Sequence, residues 1–284
     1  MSCLAASGQD WAAPQWHTAV PSTQAALRLD FAEHPPRDLQ WRMLGTDHQT
    51  AGHGRNQATW HAAAGHAVLV SFGGPLLLAP ELWPRLSLVA GLAVREVLTG
   101  HCPANLQLKW PNDIVVRTED GWHKLAGLLC ERVGGPCADP LWLCGVGVNV
   151  TAVPAHPGLA MPAVSLGQLG APPELKRQEL AAELAVAVRT AVVACQRAGG
   201  TLPIARLEQH LAFLGTAVTV DLGLQQGQRA LQLQGLDSGG ELRGRWVTDR
   251  GEPGAYASVS PLHLAAAPGA GWPGPQRAHG SADV

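Results

Sequence analysis

The sequence predicts an α+β fold built on a mixed sheet, followed by a small all-β module. Three observations predict it. The first two thirds hold several short apolar runs of strand length, only a few segments carry helical apolar periodicity, and from about Gly215 the pattern changes to alternating strand segments separated by glycine-rich turns.

Pro21-Ser22-Thr23-Gln24 is a turn signal in which a hydroxyl residue precedes Ala25-Ala26-Leu27-Arg28-Leu29, so an N-capped helix is predicted to run to about Glu33. Trp41-Arg42-Met43-Leu44-Gly45 reads as a strand. The stretch 47–64, rich in Gly, His and Asn, reads as a long loop of the kind that is usually functional. Ala67-Val68-Leu69-Val70-Ser71-Phe72 is a buried strand, and 80–98 has helical periodicity in which Pro84 is tolerable only near the first turn. Short strands follow at 106–110 and 114–116, then the turn Glu119-Asp120-Gly121, a strand over 124–131 and another over 141–150. A long amphipathic helix is predicted over 174–198 and a shorter one over 202–211. Strands over 217–222, 229–236 and 241–248 complete a small β-barrel. The organisation expected is an N-terminal extension (1–20), a catalytic domain (21–213), a small C-terminal barrel (214–265) and a tail (266–284) whose Pro, Gly and Ser content is that of a disordered segment.

The chain has 284 residues, enough for one large domain or a large and a small one. Charged residues make up 15% and the formal net charge is -2, so no global basic field draws it to nucleic acid or an anionic membrane, and any phosphate binding must be local. The six cysteines, Cys3, Cys102, Cys130, Cys137, Cys144 and Cys195, show no Cys-x-x-Cys spacing and read as free thiols. No apolar run approaches a membrane span, so a cytoplasmic location is expected.

The chain has three lysines, and two of them sit in short motifs flanked by apolar residues: Lys109-Trp110-Pro111-Asn112-Asp113 and Lys124-Leu125-Ala126-Gly127. Upstream lies the glycine-rich loop Gln49-Thr50-Ala51-Gly52-His53-Gly54-Arg55, followed by Trp60. Glycines let backbone amides approach an anion closely, and Arg55 adds a planar fork of donors. A flexible turn with a solvated arginine is the bland alternative. Lys124 could bring a primary amine to the same anion, or could be an edge lysine reaching solvent. The apolar, small run after it argues against a simple edge. Asn112 and Asp113 can point into a cleft as the chain leaves a strand, although a structural turn in which Asp113 merely pairs with Lys109 fits the spacing nearly as well. His48, His61 and His66 match no standard zinc spacing.

In this order and spacing, together with Gly145-Val146-Gly147-Val148-Asn149, these segments resemble the biotin protein ligases, which activate biotin with ATP and attach it to a lysine of a carrier protein. The resemblance covers Ser22 to Asn149. Gly235-Leu236-Asp237-Ser238-Gly239-Gly240-Glu241-Leu242 further resembles a turn in that family's SH3-like C-terminal domain. The implied fold is the mixed-sheet catalytic domain of biotin and lipoate ligases with such a domain appended. The segment before Ser22 is too short for the DNA-binding domain of some relatives, so no DNA partner is expected.

The resemblance implies that Lys124 and Arg55 are catalytic, contacting the activated carboxyl and the α-phosphate. It implies biotin contacts at Ser22, Thr23, Gln24 and Gln49, at Gly52, His53, Gly54 and Arg55, and at Lys124, Gly127 and Leu129. Nucleotide contacts are implied at Arg55, Trp60, Lys109, Asn112, Asp113, Lys124 and Asn149, with Asp113 a magnesium ligand. ATP, magnesium and biotin are the implied small molecules, and the biotin carrier protein or acceptor domain of a carboxylase is the implied macromolecular partner. Pairing of two subunits as a homodimer is left open. Two departures stand out. Gln24 replaces the family's usual Asn, and His53, Asn56, Gln57 and Ala58 replace the usual Arg, Arg, Gly and Arg, which strips the loop of charge and predicts weaker retention of the adenylate. A lipoate ligase and a non-catalytic biotin binder are the alternative readings.

Overall fold

The computed structural model describes residues 11–34, 40–134, 140–153, 161–222, 227–248 and 250–260. Part of the N-terminal extension, Cys3, Cys137 and the whole tail 266–284 lie outside the described residues.

Seven strands form a mixed sheet: β1 (Gln15–His17), β2 (Arg42–Thr46), β3 (Ala67–Pro75), β4 (Leu106–Lys109), β5 (Asp113–Thr118), β6 (Gly121–Val133) and β7 (Leu141–Asn149), in the order β1-β2-β3-β7-β6-β5-β4. Only β1 and β2 run parallel; the other neighbours are antiparallel. The two longest pairings, β3 with β7 and β6 with β7, place β7 at the centre. Its alternation sorts the two faces. Trp142, Cys144, Val146 and Val148 enter the main core beneath helices α2 (Leu86–Thr99) and α3 (Arg177–Arg197). Leu141 and Leu143 point the other way, into a smaller cluster with Leu27 and Phe31 of helix α1 (Thr23–Glu33) and Leu44 of β2. Continuing along that second face, the next alternate residues of β7 are Gly145 and Gly147. The leucine layer therefore gives way to bare backbone where α1 begins, and this step opens the pocket.

Helix α1 starts where the sequence predicts, with Ser22 in extended conformation and its Oγ accepting from the Ala25 N–H. The segment 80–98 differs from the single helix expected. Pro80–Arg85 forms a 3-10 helix containing Pro84, and the α-helix begins only at Leu86. A proline lacks the N–H an α-helix needs and its ring clashes with the preceding turn, so regular helix starts beyond it.

A second sheet of four antiparallel strands follows, β8 (Ala217–Asp221), β9 (Gln228–Leu236), β10 (Leu242–Val247) and β11 (Pro253–Val259), in the order β11-β10-β9-β8. It stands where the sequence predicts the small SH3-like module. Strands β1 and β11 were not expected; both are short or mostly exposed and lack a run of large apolar residues. Buried Val218, Val220, Leu231, Leu233 and Leu242 of the second sheet join the main core. The buried Trp110 indole donates to the Gly240 carbonyl oxygen at 3.0 Å, tying the turn between β9 and β10 to the Lys109–Asp113 motif. Residues 210–212 bond to both sides of Leu108, covering the edge strand β4.

Among the described residues no helix is long and apolar enough to cross a membrane. Cys102, Cys144 and Cys195 are buried free thiols, as expected, and Cys130 is half-buried.

Replacing Trp110 by Phe keeps most of the apolar bulk and removes the bond to Gly240, leaving a buried carbonyl without its partner. A loss of about 1–3 kcal/mol is expected, read as a lower urea midpoint. An unchanged midpoint would show that this bond does not hold the second sheet to the first.

Candidate active site

The pocket lies on the face of the sheet that β7 leaves bare, a cavity of about 240 Å³. Its floor is glycine. Gly127 pairs with Gly147 across β6 and β7, and Gly145 pairs with Leu129. A Cβ on Gly147 would lie 2.7 Å from the Trp60 ring, and one on Gly145 would lie 2.9 Å from Gln24 Oε1. Neither distance is tolerable for a real side chain, so the glycines are what allow Trp60 and Gln24 to close over the sheet.

One end of the pocket is neutral and polar. Gln49 Oε1 accepts from the Thr23 N–H at 2.7 Å and the Thr23 hydroxyl at 3.1 Å, and that hydroxyl also meets the Ser71 hydroxyl at 2.8 Å. Gln24, 4% exposed, donates Nε2 to the Leu129 carbonyl at 3.3 Å and to Glu131 Oε2 at 3.0 Å. Its Oε1 is buried with no hydrogen-bond partner among the described residues, as is the Trp60 Nε1 donor. Unsatisfied buried groups of this kind cost about 1–3 kcal/mol each, which a ligand offering the complementary group recovers.

The other end is cationic. Asp113 opens β5 and is buried, with Oδ2 at 3.0 Å from Lys109 Nζ and Oδ1 at 2.7 Å from Lys124 Nζ. Burial alone would raise the Asp113 pKa, but the two lysines outweigh it and hold the value at about 2. Lys124 reaches this point because of a register shift. Ile114 pairs with Ala126 while Val115 pairs with Lys124, so Leu125 is an extra residue on β6. Counted by simple alternation from pocket-facing Gly127, Lys124 would point to the opposite face; the bulge returns it to the pocket. Its Nζ also lies 5.5 Å from the centroid of the Trp60 ring. Arg55 lines the same end from a single 3-10 turn, Arg55–Gln57, and its pKa is lowered by burial, with the attraction of Asp113 opposing. The loop that carries it is closed by bonds from the Gly54 N–H to the Ala58 oxygen and from the Trp60 N–H to the Gly52 oxygen.

The structure brings nearly all the expected site residues to this one cavity: Ser22, Thr23, Gln24 and Gln49 at the neutral end, His53, Gly54, Arg55 and Trp60 from the loop, and Lys109, Asn112, Asp113, Lys124, Gly127 and Leu129 from the sheet. Two do not line it. A Cβ on Gly52 would lie 2.5 Å from Gln49 Nε2, so Gly52 makes room for that amide. The Asn149 side chain donates to the Val164 carbonyl at 3.1 Å, joining the end of β7 to the segment beside β6. Sequence reasoning missed Ser71, and it missed Thr219 and Val220 of β8, which bring the second sheet to the pocket. Alternation in the buried strand 67–72 could have found Ser71; nothing local points to β8.

The magnesium role expected of Asp113 meets a competing arrangement, since both of its oxygens are engaged by lysines. Among the described residues no group of three or more His, Cys, Asp or Glu side chains is placed to hold a metal ion.

The sequence profile of the biotin/lipoate A/B protein ligase family matches residues 20–149, the span that supplies most of this pocket. That span is a little under half of the chain. The chain is similar to the biotin--[acetyl-CoA-carboxylase] ligase of Mycobacterium tuberculosis, 37% identical over 155 residues that cover 53% of this chain and 54% of the relative. It is also similar to the bifunctional ligase/repressor of Escherichia coli, 28% identical over 62% of this chain and 54% of the relative. The chain thus spans about half the length of the curated relatives it matches. Among solved structures, the biotin protein ligase from Aquifex aeolicus in complex with biotin and ATP superposes with a TM-score of 0.68 at 23% identity, covering 90% of this chain and 98% of that one. At that identity the likeness shows the fold alone.

Because the Asp113 pKa is lower folded than unfolded, its ionisation contributes stability that is present above pH about 4 and lost as pH falls toward 2. The stability advantage of wild type over Asp113→Asn is expected to be flat from about pH 5 to 7 and to shrink by roughly 2 kcal/mol between about pH 4 and 2. Urea midpoints of both proteins across that range check it; a pH-independent difference would show that the lysines do not set this carboxylate.

Proposed function

We propose that the chain is a biotin protein ligase, with residues 21–213 as the catalytic unit and 214–265 as a small C-terminal domain. One observation carries the reading: the pocket is bipolar. A neutral end with an unpartnered acceptor on Gln24 faces a cationic end formed by Arg55, Lys109 and Lys124 across a glycine floor. Biotin has the matching polarity, a ureido head that donates N–H groups and a carboxylate tail, and its compact bicyclic body suits bare backbone. Lipoate carries the same tail but a dithiolane head without donors, which leaves Gln24 unsatisfied. The names of the relatives support the same substrate.

The chemistry is two displacements. A biotin carboxylate oxygen attacks the α-phosphorus of ATP, and the bond to pyrophosphate breaks, giving biotinyl-5'-AMP. The ε-amine of a carrier-protein lysine then attacks the acyl carbon, the bond to AMP breaks, and the amine proton passes to solvent. Two anions must be held together in the first step, and Lys124 and Arg55 offset that charge while backbone and Asp113 hold them in place before the substrates arrive. Lys109 and Trp60 bound the nucleotide side, and Asn112, whose side chain donates to the Leu128 carbonyl at 2.6 Å, fixes the corner. Magnesium supplies charge neutralisation on the phosphates. With Asp113 committed to the lysines, the described residues offer no cage for it, and the ion would be carried chiefly by the phosphates themselves. The proposed acceptor is a biotin carrier domain of a carboxylase, and the proposed compartment is the cytoplasm.

Pyrophosphate release from ATP and magnesium with biotin, with lipoate and with neither tests this reading. Biotin-dependent turnover that falls by about 10²–10³-fold in Lys124→Ala is expected. Turnover with lipoate alone would move the chain to the sister activity, and biotin binding without turnover would make it a binder. A second expectation concerns the charge-poor loop: His53→Arg should slow dissociation of biotinyl-5'-AMP measured by filter binding, and no change in either His53→Arg or His53→Ala would remove the loop from adenylate retention.

A further inference from the structure

We infer that Glu131, backed by Arg28, is a positioning residue that fixes the polarity of the Gln24 amide and thereby makes the neutral end of the pocket selective for a head group that donates an N–H. The inference rests on the biotin-ligase reading and deepens it.

Glu131 lies two residues beyond Leu129 on β6, so both belong to the pocket face, and Gln24 reaches them from the first turn of α1. The Gln24 amide has one nitrogen with two hydrogens and one oxygen, and these two atoms are interchangeable in shape. What distinguishes them is their surroundings. The Leu129 carbonyl and the Glu131 carboxylate are acceptors only, and together they take both N–H groups, at 3.3 Å and 3.0 Å. Rotating the amide by half a turn would set its oxygen against a carboxylate and a carbonyl. The oxygen is therefore driven to the other side, where it sits against the bare Cα of Gly145, beside Ser71, with no partner among the described residues. Arg28 holds the same Glu131 oxygen at 2.6 Å, so the carboxylate is anchored from the solvent side. Arg28, Glu131 and Gln24 form a relay from surface to pocket whose output is an acceptor that no group among the described residues satisfies. The family's usual Asn at this position is one methylene shorter, so the relay belongs to the longer amide of this chain.

Glu131→Gln tests it, because the isosteric amide can donate as well as accept and so no longer dictates which way Gln24 points. Biotin affinity is measured by calorimetry and biotin- and lipoate-dependent pyrophosphate release by steady-state kinetics, with thermal midpoints as a check on folding. Expected are a rise of about tenfold in both Kd and KM for biotin with kcat within about twofold, and a preference for biotin over lipoate that narrows by the same factor. Arg28→Ala, half-exposed and safe for folding, should shift Kd in the same direction by a smaller factor and carries the test if Glu131→Gln fails to fold. In a Gln24→Asn background Glu131→Gln should add less than about twofold, since its effect passes through the longer amide. A biotin Kd unchanged in folded Glu131→Gln, or an equal effect in both backgrounds, overturns the inference. If wild type neither binds nor turns over biotin, the ligase reading itself has failed; biotin turnover by wild type with an unmoved Kd in Glu131→Gln sinks only the relay.

Discussion

A carboxylate buried between two amines is the constraint on which the site depends. Asp113 meets Lys109 and Lys124 at 3.0 Å and 2.7 Å, and the three residues come from β5, β4 and β6. An isolated buried carboxylate would protonate; beside the two lysines Asp113 stays ionised and ties both amines to one point. The arrangement leaves net positive charge at the end of a pocket in a chain whose overall charge is negative. Anion binding here is a local property, built by strand pairing.

The remainder of the pocket follows from how one face of the sheet changes character along β7. Leu141 and Leu143 support α1, and Gly145 and Gly147 then withdraw all side-chain volume. Trp60 and Gln24 occupy the space released, each from a different segment and each with one polar atom left over. A ligand that binds there completes hydrogen bonds the fold leaves open, which is a way of selecting by satisfaction as well as by shape. The same face carries Ser71 and Leu69 from β3, so the polar head of the pocket is continuous with the sheet.

Much of this was legible in the residues. The cap at Ser22, the strands at 67–72 and 141–150, the two lysine motifs and the change to an all-β pattern near Gly215 all mark local preferences that tertiary packing did not override. The alternative in which Asp113 pairs with Lys109 proved to be part of the arrangement, extended by Lys124. Where local signals misled, the cause is physical. Pro84 split a periodic segment into a 3-10 turn and a helix.

The sequence by itself determined which chemistry is available: three lysines of which two are set among apolar residues, one loop arginine, and glycines spaced by two along a strand, all encoded in local order. Only the tertiary structure decided where those groups point. A bulge at Leu125 reverses the face of Lys124, the second sheet delivers Thr219 and Val220, and Glu131 turns the Gln24 amide from a residue 107 positions away. Strand register and amide orientation are set by partners distant in the chain, and no local preference encodes them.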